Sequence, residues 1–176
     1  MPDAPGLELI AHELNDAAPG SVIGTYFEHG QACLIVEGEP IMDVLGWLRD
    51  TPGQEYRFLS SLHGVDYLPA TPRFGVVYEL LNMPRVERLR VRAALGDPGA
   101  DGLPEIDSCV SLFPGAEFQE REAYDFFGIV FRGHPDLRRI LMPEDYVGWP
   151  QRRDFPVGGE PVVFTKDEPQ MPRWYE

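Results

Sequence analysis

Seven of the chain's 18 prolines, Pro135, Pro143, Pro150, Pro156, Pro161, Pro169 and Pro172, fall within its last 42 residues. Inside a helix a proline removes a backbone donor and clashes with the preceding turn, and in a central strand it breaks the hydrogen-bond ladder. Their spacing forbids a regular helix or interior strand over most of that length. The same stretch nevertheless holds Ile140, Leu141, Tyr146, Trp149, Phe155, Val162, Val163, Phe164, Trp174 and Tyr175. A disordered tail is poorer in such side chains. The combination predicts an extended arm that becomes ordered on another protein's surface.

The first half has the opposite character. Leu7, Ile10, Ala11 and Leu14 repeat at i, i+3, i+4 and i+7, which predicts an amphipathic helix over 7–17, stopped at Pro19-Gly20. Alternation over 22–28 and 32–37 around Gly30 predicts a hairpin. Pro40 opens a second helix with Ile41, Val44, Leu45 and Leu48 on one face, ending near Pro52-Gly53. Strands are expected at 56–67 (interrupted at Gly64), 73–81 and 86–94. In the last of these Arg88, Arg90 and Arg92 alternate with Leu89 and Val91, as on a strand with one wet face. Helix, two strands, helix and three strands predict an α+β two-layer sandwich, a mixed sheet covered on one side by two helices. Turn residues without apolar periodicity follow. The expected division is therefore an α+β domain at 1–95, a linker at 96–104, and a segment at 105–176 in which a short helix precedes the arm.

That short helix runs from Glu117 to Phe127, with Gly128 where a C-terminal cap belongs. The pairs Glu117–Arg121 and Arg121–Asp125 have i, i+4 spacing, worth about 0.2–0.5 kcal/mol each. Ile129 to Phe131 reads as a short strand, and Gly133-His134-Pro135-Asp136 as a turn.

A net charge of -14 argues against nucleic acid and anionic lipid as partners. Residues 120–153 stand apart, with six acids balanced by six arginines, so the whole acidic excess lies outside them. Lys166 is the only lysine among 15 basic residues. Arginine forms planar pairs with carboxylates and is favoured at interfaces. Cys33 and Cys109, 76 positions apart, cannot by themselves hold an iron–sulfur cluster or a structural zinc. Apolar runs fall far short of the ~20 residues of a membrane span, and Met1-Pro2-Asp3-Ala4-Pro5 lacks the features of a signal peptide. The expectation is a cytosolic chain that reaches a membrane only through partners.

The charged segment offers little to catalysis. On a helix Glu120 and Glu122 diverge by about 200° and cannot act as an acid/base pair. Glu122 and Asp125 share a face, but Arg121 beside Asp125 points to pairing. His134, Asp136 and Glu122 could build a metal-dependent hydrolase. His12, His29 and His63 are isolated, and no HxH or HExxH spacing occurs. A histidine whose ring bonds across its own turn is the simpler reading. GxSxG, GxxxxGK[ST] and GxGxxG are absent.

The ordered run Glu120-Arg121-Glu122, Tyr124-Asp125, Phe127-Gly128-Ile129, Gly133-His134-Pro135-Asp136-Leu137, Arg138-Arg139-Ile140-Leu141 and Arg152-Arg153-Asp154-Phe155-Pro156 resembles a known signature. It is that of the thirty-kilodalton subunit family of NADH–quinone oxidoreductase, respiratory complex I. Asp66-Tyr67 and Val76-Val77-Tyr78-Glu79-Leu80 also look like this family. Gln151 stands where leucine is usual, and Arg153 where lysine is usual. The resemblance implies a redox-inactive subunit in the peripheral arm of a proton-translocating complex, on the cytoplasmic face of a bacterial plasma membrane. It implies no catalytic, cofactor or metal residues here, with FMN and iron–sulfur clusters in partner subunits. Expected partners are the large quinone-site subunit, embraced by 105–176, the subunit carrying the terminal iron–sulfur cluster, and other peripheral-arm subunits. Glu120, Arg121, Glu122, Tyr124, Asp125, Gly128, His134, Pro135, Arg138, Arg139, Arg152, Arg153 and Asp154 are the signature and candidate interface residues. Open alternatives are the equivalent subunit of a membrane-bound hydrogenase or ferredoxin-fed photosynthetic complex, a free-standing adaptor, and the hydrolase.

Overall fold

The computed structural model describes residues 2–96, 98 and 102–156. Helix α1 (Ala4–Ala17) starts before its apolar stripe because Asp3 caps it, its carboxylate accepting from Gly6 N at 2.8 Å. The hairpin β1 (Val22–Glu28) and β2 (Gln31–Glu37) follows, then α2 (Ile41–Asp50), β3 (Phe58–Asp66), β4 (Phe74–Asn82) and β5 (Glu87–Ala94). After the linker come β6 (Glu105–Asp107), α3 (Ala116–Phe127) and β7 (Val130–Arg132). Among the described residues β1 to β5 form one sheet, ordered β1-β2-β5-β4-β3, in which only β2 and β5 run parallel. The α+β sandwich with a mixed sheet is thus the expected one.

Register explains which residues are buried. Leu34 lies beside Val91, Val91 beside Tyr78, and Tyr78 beside Leu62, so one apolar row crosses four strands. It faces the stripes Leu7, Ile10, Leu14 of α1 and Ile41, Val44, Leu45, Leu48 of α2. One residue along, the row Cys33, Arg90, Glu79, Ser61 faces the other way.

Three details depart from expectation. Strand β3 runs unbroken through Gly64, which serves packing: an added Cβ would lie 2.8 Å from Phe127 and 3.0 Å from Ile129. Strand β6 has no alternation long enough to show, and it pairs parallel with β7. Finally, α3 covers the same sheet face as α1 and α2, so three helices close it. Ile106, Cys109, Phe113, Ala116, Ala123, Ile129 and Phe131 join the core cluster of the sheet, which therefore continues across the linker.

Candidate partner-docking segment

Helix α3 ends as expected at Gly128, whose φ of +69° is left-handed and whose N–H reaches Tyr124 O. A side chain there would also collide with Trp149, at 2.5 Å. The helix buries three charged residues, Glu120, Arg121 and Asp125. Asp125, 0% exposed, organises the segment. Its Oδ1 accepts from Arg139 Nη1 at 2.7 Å, and its Oδ2 from the successive amides of Ile140, Leu141 and Met142 at 3.0, 2.7 and 2.8 Å. Burial alone would raise this carboxyl's pKa, but those amides and Arg139 outweigh it and hold it below the ordinary value.

Arg139 continues the clasp. Its guanidinium also donates to Asp125 O, Tyr146 O and Gly148 O, and lies 4.7 Å from the Trp149 ring centroid. Arg121 donates to Arg138 O and Arg139 O. The expected Arg121–Asp125 pair is therefore replaced: the arm brings carbonyls to Arg121 and a second arginine to Asp125. Further along, Trp149 meets Tyr124 edge-on, and Arg152 Nε donates to Phe127 O at 2.7 Å.

A second anchor joins the arm to the sheet. Arg73 grips Asp66 through two bonds of 3.0 and 2.8 Å and reaches Asp154 at 2.7 Å. Asp66 also accepts from Leu68 N and Arg153 N, while Arg153 Nη1 donates to Leu68 O. Burial pushes the Asp66 carboxyl up, but these donors prevail and bring it down to about 2.

Glu120 is buried, accepting from Ser108 Oγ at 2.6 Å and Cys109 N at 2.7 Å, and burial raises its pKa. Glu122 is exposed on another side of the helix, so the two glutamates do not converge. Both nitrogens of His134 are engaged: Nε2 faces Glu117 O, and Nδ1 accepts from Asp136 N, which assigns the proton to Nε2. Pro135 and Arg138 are exposed, with Arg138 on Asp136 at 2.8 Å. Acid/base or metal-hydrolase chemistry finds no converging, unengaged groups among these residues. The arrangement is suited to holding an irregular strand of chain in place.

Residues 34–161 match the family model described as the respiratory-chain NADH dehydrogenase, 30 Kd subunit. The chain belongs to this family. An NADH-quinone oxidoreductase subunit from Herpetosiphon aurantiacus is 50% identical over 141 residues, covering 80% of each chain. Its counterpart from Roseiflexus sp. (strain RS-1) is 40% identical over 162 residues, 92% of this chain and 91% of the relative. Among solved structures, a chain of the membrane-bound sulfane sulfur reductase, an archaeal respiratory membrane complex, shares the fold with a TM-score of 0.68 at 22% identity, over 85% of each chain.

In this member of the family, no helix among the described residues is long and apolar enough to cross a membrane. Sequence reasoning named the arginines and carboxylates of the segment but missed Arg73, Ser108, Trp149 and Gln119. Arg73 lies 81 positions from Asp154, and spacing carries no signal for such a contact. Trp149 is legible only as one of the arm's apolar side chains, and its spacing does not point to Gly128. The arm's final part, 157–176, lies outside the described residues.

Proposed function

We propose that this chain is a non-redox structural subunit in the peripheral arm of a proton-translocating NADH:quinone oxidoreductase. It supports electron transfer from NADH through FMN and iron–sulfur clusters, all carried by partners, to quinone. It does so by holding the large quinone-site subunit and the terminal iron–sulfur subunit together on the cytoplasmic side of the membrane. One observation carries the reading: Arg121, Asp125 and Arg139 are engaged in bonds that shape the arm, and Glu120 is bound to Ser108 and Cys109, leaving none to turn over a substrate. Family membership and the names of the relatives agree with it.

The clasp has a further consequence. With its amide bound to Asp125, Leu141 turns its side chain outward and is 61% exposed, and Val147 is 89% exposed. Apolar side chains held outward on a rigid support are what a partner surface covers. These two side chains fall within 105–176, the segment proposed to embrace the quinone-site subunit, and an obligate contact of this kind buries more than ~2,000 Å².

The test is Asp125→Ala or Arg139→Ala in the native complex. Native gels of solubilised membranes are expected to show less assembled complex. Full assembly with either variant would refute the reading, as would enzymatic turnover by the purified chain alone.

A further inference from the structure

Among the described residues all three helices lie on one face of the sheet, and none covers the opposite face. On that face β5 presents Arg88, Arg90 and Arg92 at every second residue, about 7 Å apart. Across β4 only Glu79 supplies a carboxylate, and it is bound to Arg90. Arg88 is exposed, and neither it nor Arg92 has a carboxylate partner among the described residues. Arg92 lies flat on Tyr67, 3.7 Å from the ring centroid, which fixes its guanidinium on this face. Two arginines in excess thus flank the paired Arg90 in a chain of net charge -14. Beneath them Cys33 and Val77 form a closed apolar floor, 0% and 4% exposed, with the exposed ring of Phe58 at the margin. Where β3 bulges near Ser60, Arg88, Arg90, Glu79 and Ser61 line a recess of about 320 Å³.

We propose that this open face docks an acidic segment of a partner protein, with carboxylates on Arg88 and Arg92 and one side chain in the recess. The proposal rests on the reading of the chain as a subunit of a larger complex. Charge complementarity selects the occupant, since arginine pairs carboxylates through two parallel bonds. A nucleic acid or an anionic bilayer would meet the repulsion of the remaining surface. The apolar floor and Phe58 suit a protein surface.

The test uses the full chain in its native membranes. With Arg88→Lys, carbodiimide coupling is expected to join position 88 to an aspartate or glutamate of another subunit, identified by mass spectrometry. Links confined to this chain's own Glu79 or Glu87, or none, overturn the proposal. The double reversal R88E/R92E is expected to reduce the subunit retained after a salt wash at least about tenfold, because like charges would then face each other. Unchanged retention overturns it. Circular dichroism checks that the reversed chain folds; if it does not, the Arg88→Lys arm decides alone. Flotation of the wild-type chain with anionic vesicles, lost in R88E/R92E, would assign the face to a membrane and also overturn it. If Asp125→Ala impairs assembly while R88E/R92E does not, only this face fails. If the chain co-purifies with no other subunit, the functional reading itself fails.

Discussion

In the sheet domain, Leu34, Val91, Tyr78 and Leu62 meet in one row and helices close over them, whereas across 138–156 no residue is fully buried and no helix or strand forms. The first region is held by apolar area removed from water, at roughly 25 cal/mol per Å². The second is held by directed bonds that converge on a few ionised groups. Area-based stability is spread over many side chains, so no single one of them sets the path of the chain. Asp125 alone receives four donors, and the path of the arm depends on it. The difference suits their roles: a core must be stable as a whole, while a docking segment must present a fixed contour without a core of its own.

The sharpest way to break this contrast is Asp125→Ala. Removing one partner of a buried ion pair costs about 3–5 kcal/mol, because the other charge is stranded. Hydrogen exchange should show the amides of Ile140, Leu141 and Met142 losing protection, while those of β4 and β5 retain most of theirs. Retained protection at 140–142 would mean that apolar contacts, not the carboxylate, hold the arm. The complementary change, Leu34→Ala, is expected to cost about 2–4 kcal/mol through lost transfer energy and the cavity left behind. Here all slowly exchanging amides of the sheet should accelerate together, and the urea midpoint should fall. A response limited to β2 would show that the layer is not one cooperative unit.

Acid separates the two regions without mutation. The Asp66 carboxyl sits at about 2 in the folded chain, below its ordinary 3.8. The unfolded chain therefore takes up that proton first as pH falls. The stabilisation is fully present above about pH 4 and is lost between about pH 4 and pH 2, amounting to about 2 kcal/mol. Urea unfolding at pH 5 and pH 2.5, compared between wild type and Asp66→Asn, isolates this share. Equal pH dependence in the two proteins would show that the Arg73–Asp66–Arg153 anchor contributes nothing.

The same contrast explains what could be read in advance. Helices α1 and α2 and strands β1 to β5 are periodic, so Leu7-Ile10-Leu14 and Arg88-Leu89-Arg90-Val91 reveal both element and buried face. Helix α3 and its glycine cap were legible from composition and Gly128. The clasp was not, because a buried carboxylate and a solvated one look alike in sequence. Arg121 and Asp125 have the spacing of a surface pair, yet the arm supplies each with a different partner. Asp66, Arg73 and Asp154 come together only through the fold. Spacing encodes elements and their buried faces well and side-chain partners hardly at all.

The smallest expected effect lies at the seam between the two regions, where α3 runs beside the edge strand β3. Two contacts of different kind seat the helix there. One is apolar: Phe127 and Ile129 pack over Gly64. The other is polar: the outward-facing N–H of Leu62 donates to Gln119 Oε1. An edge strand with unpaired donors invites another strand, so the side-chain amide also closes the edge. Gln119→Ala should cost about 1 kcal/mol, the usual net worth of one hydrogen bond, with a further penalty because Leu62 N is shielded from water. Its signature would be faster exchange at Leu62 with little change at 140–142, since the Asp125 bonds lie farther along the helix. If instead the arm loosened with Leu62, α3 would have shifted as a body. The polar clasp would then depend on the apolar seam, and the two regions would be one mechanical unit.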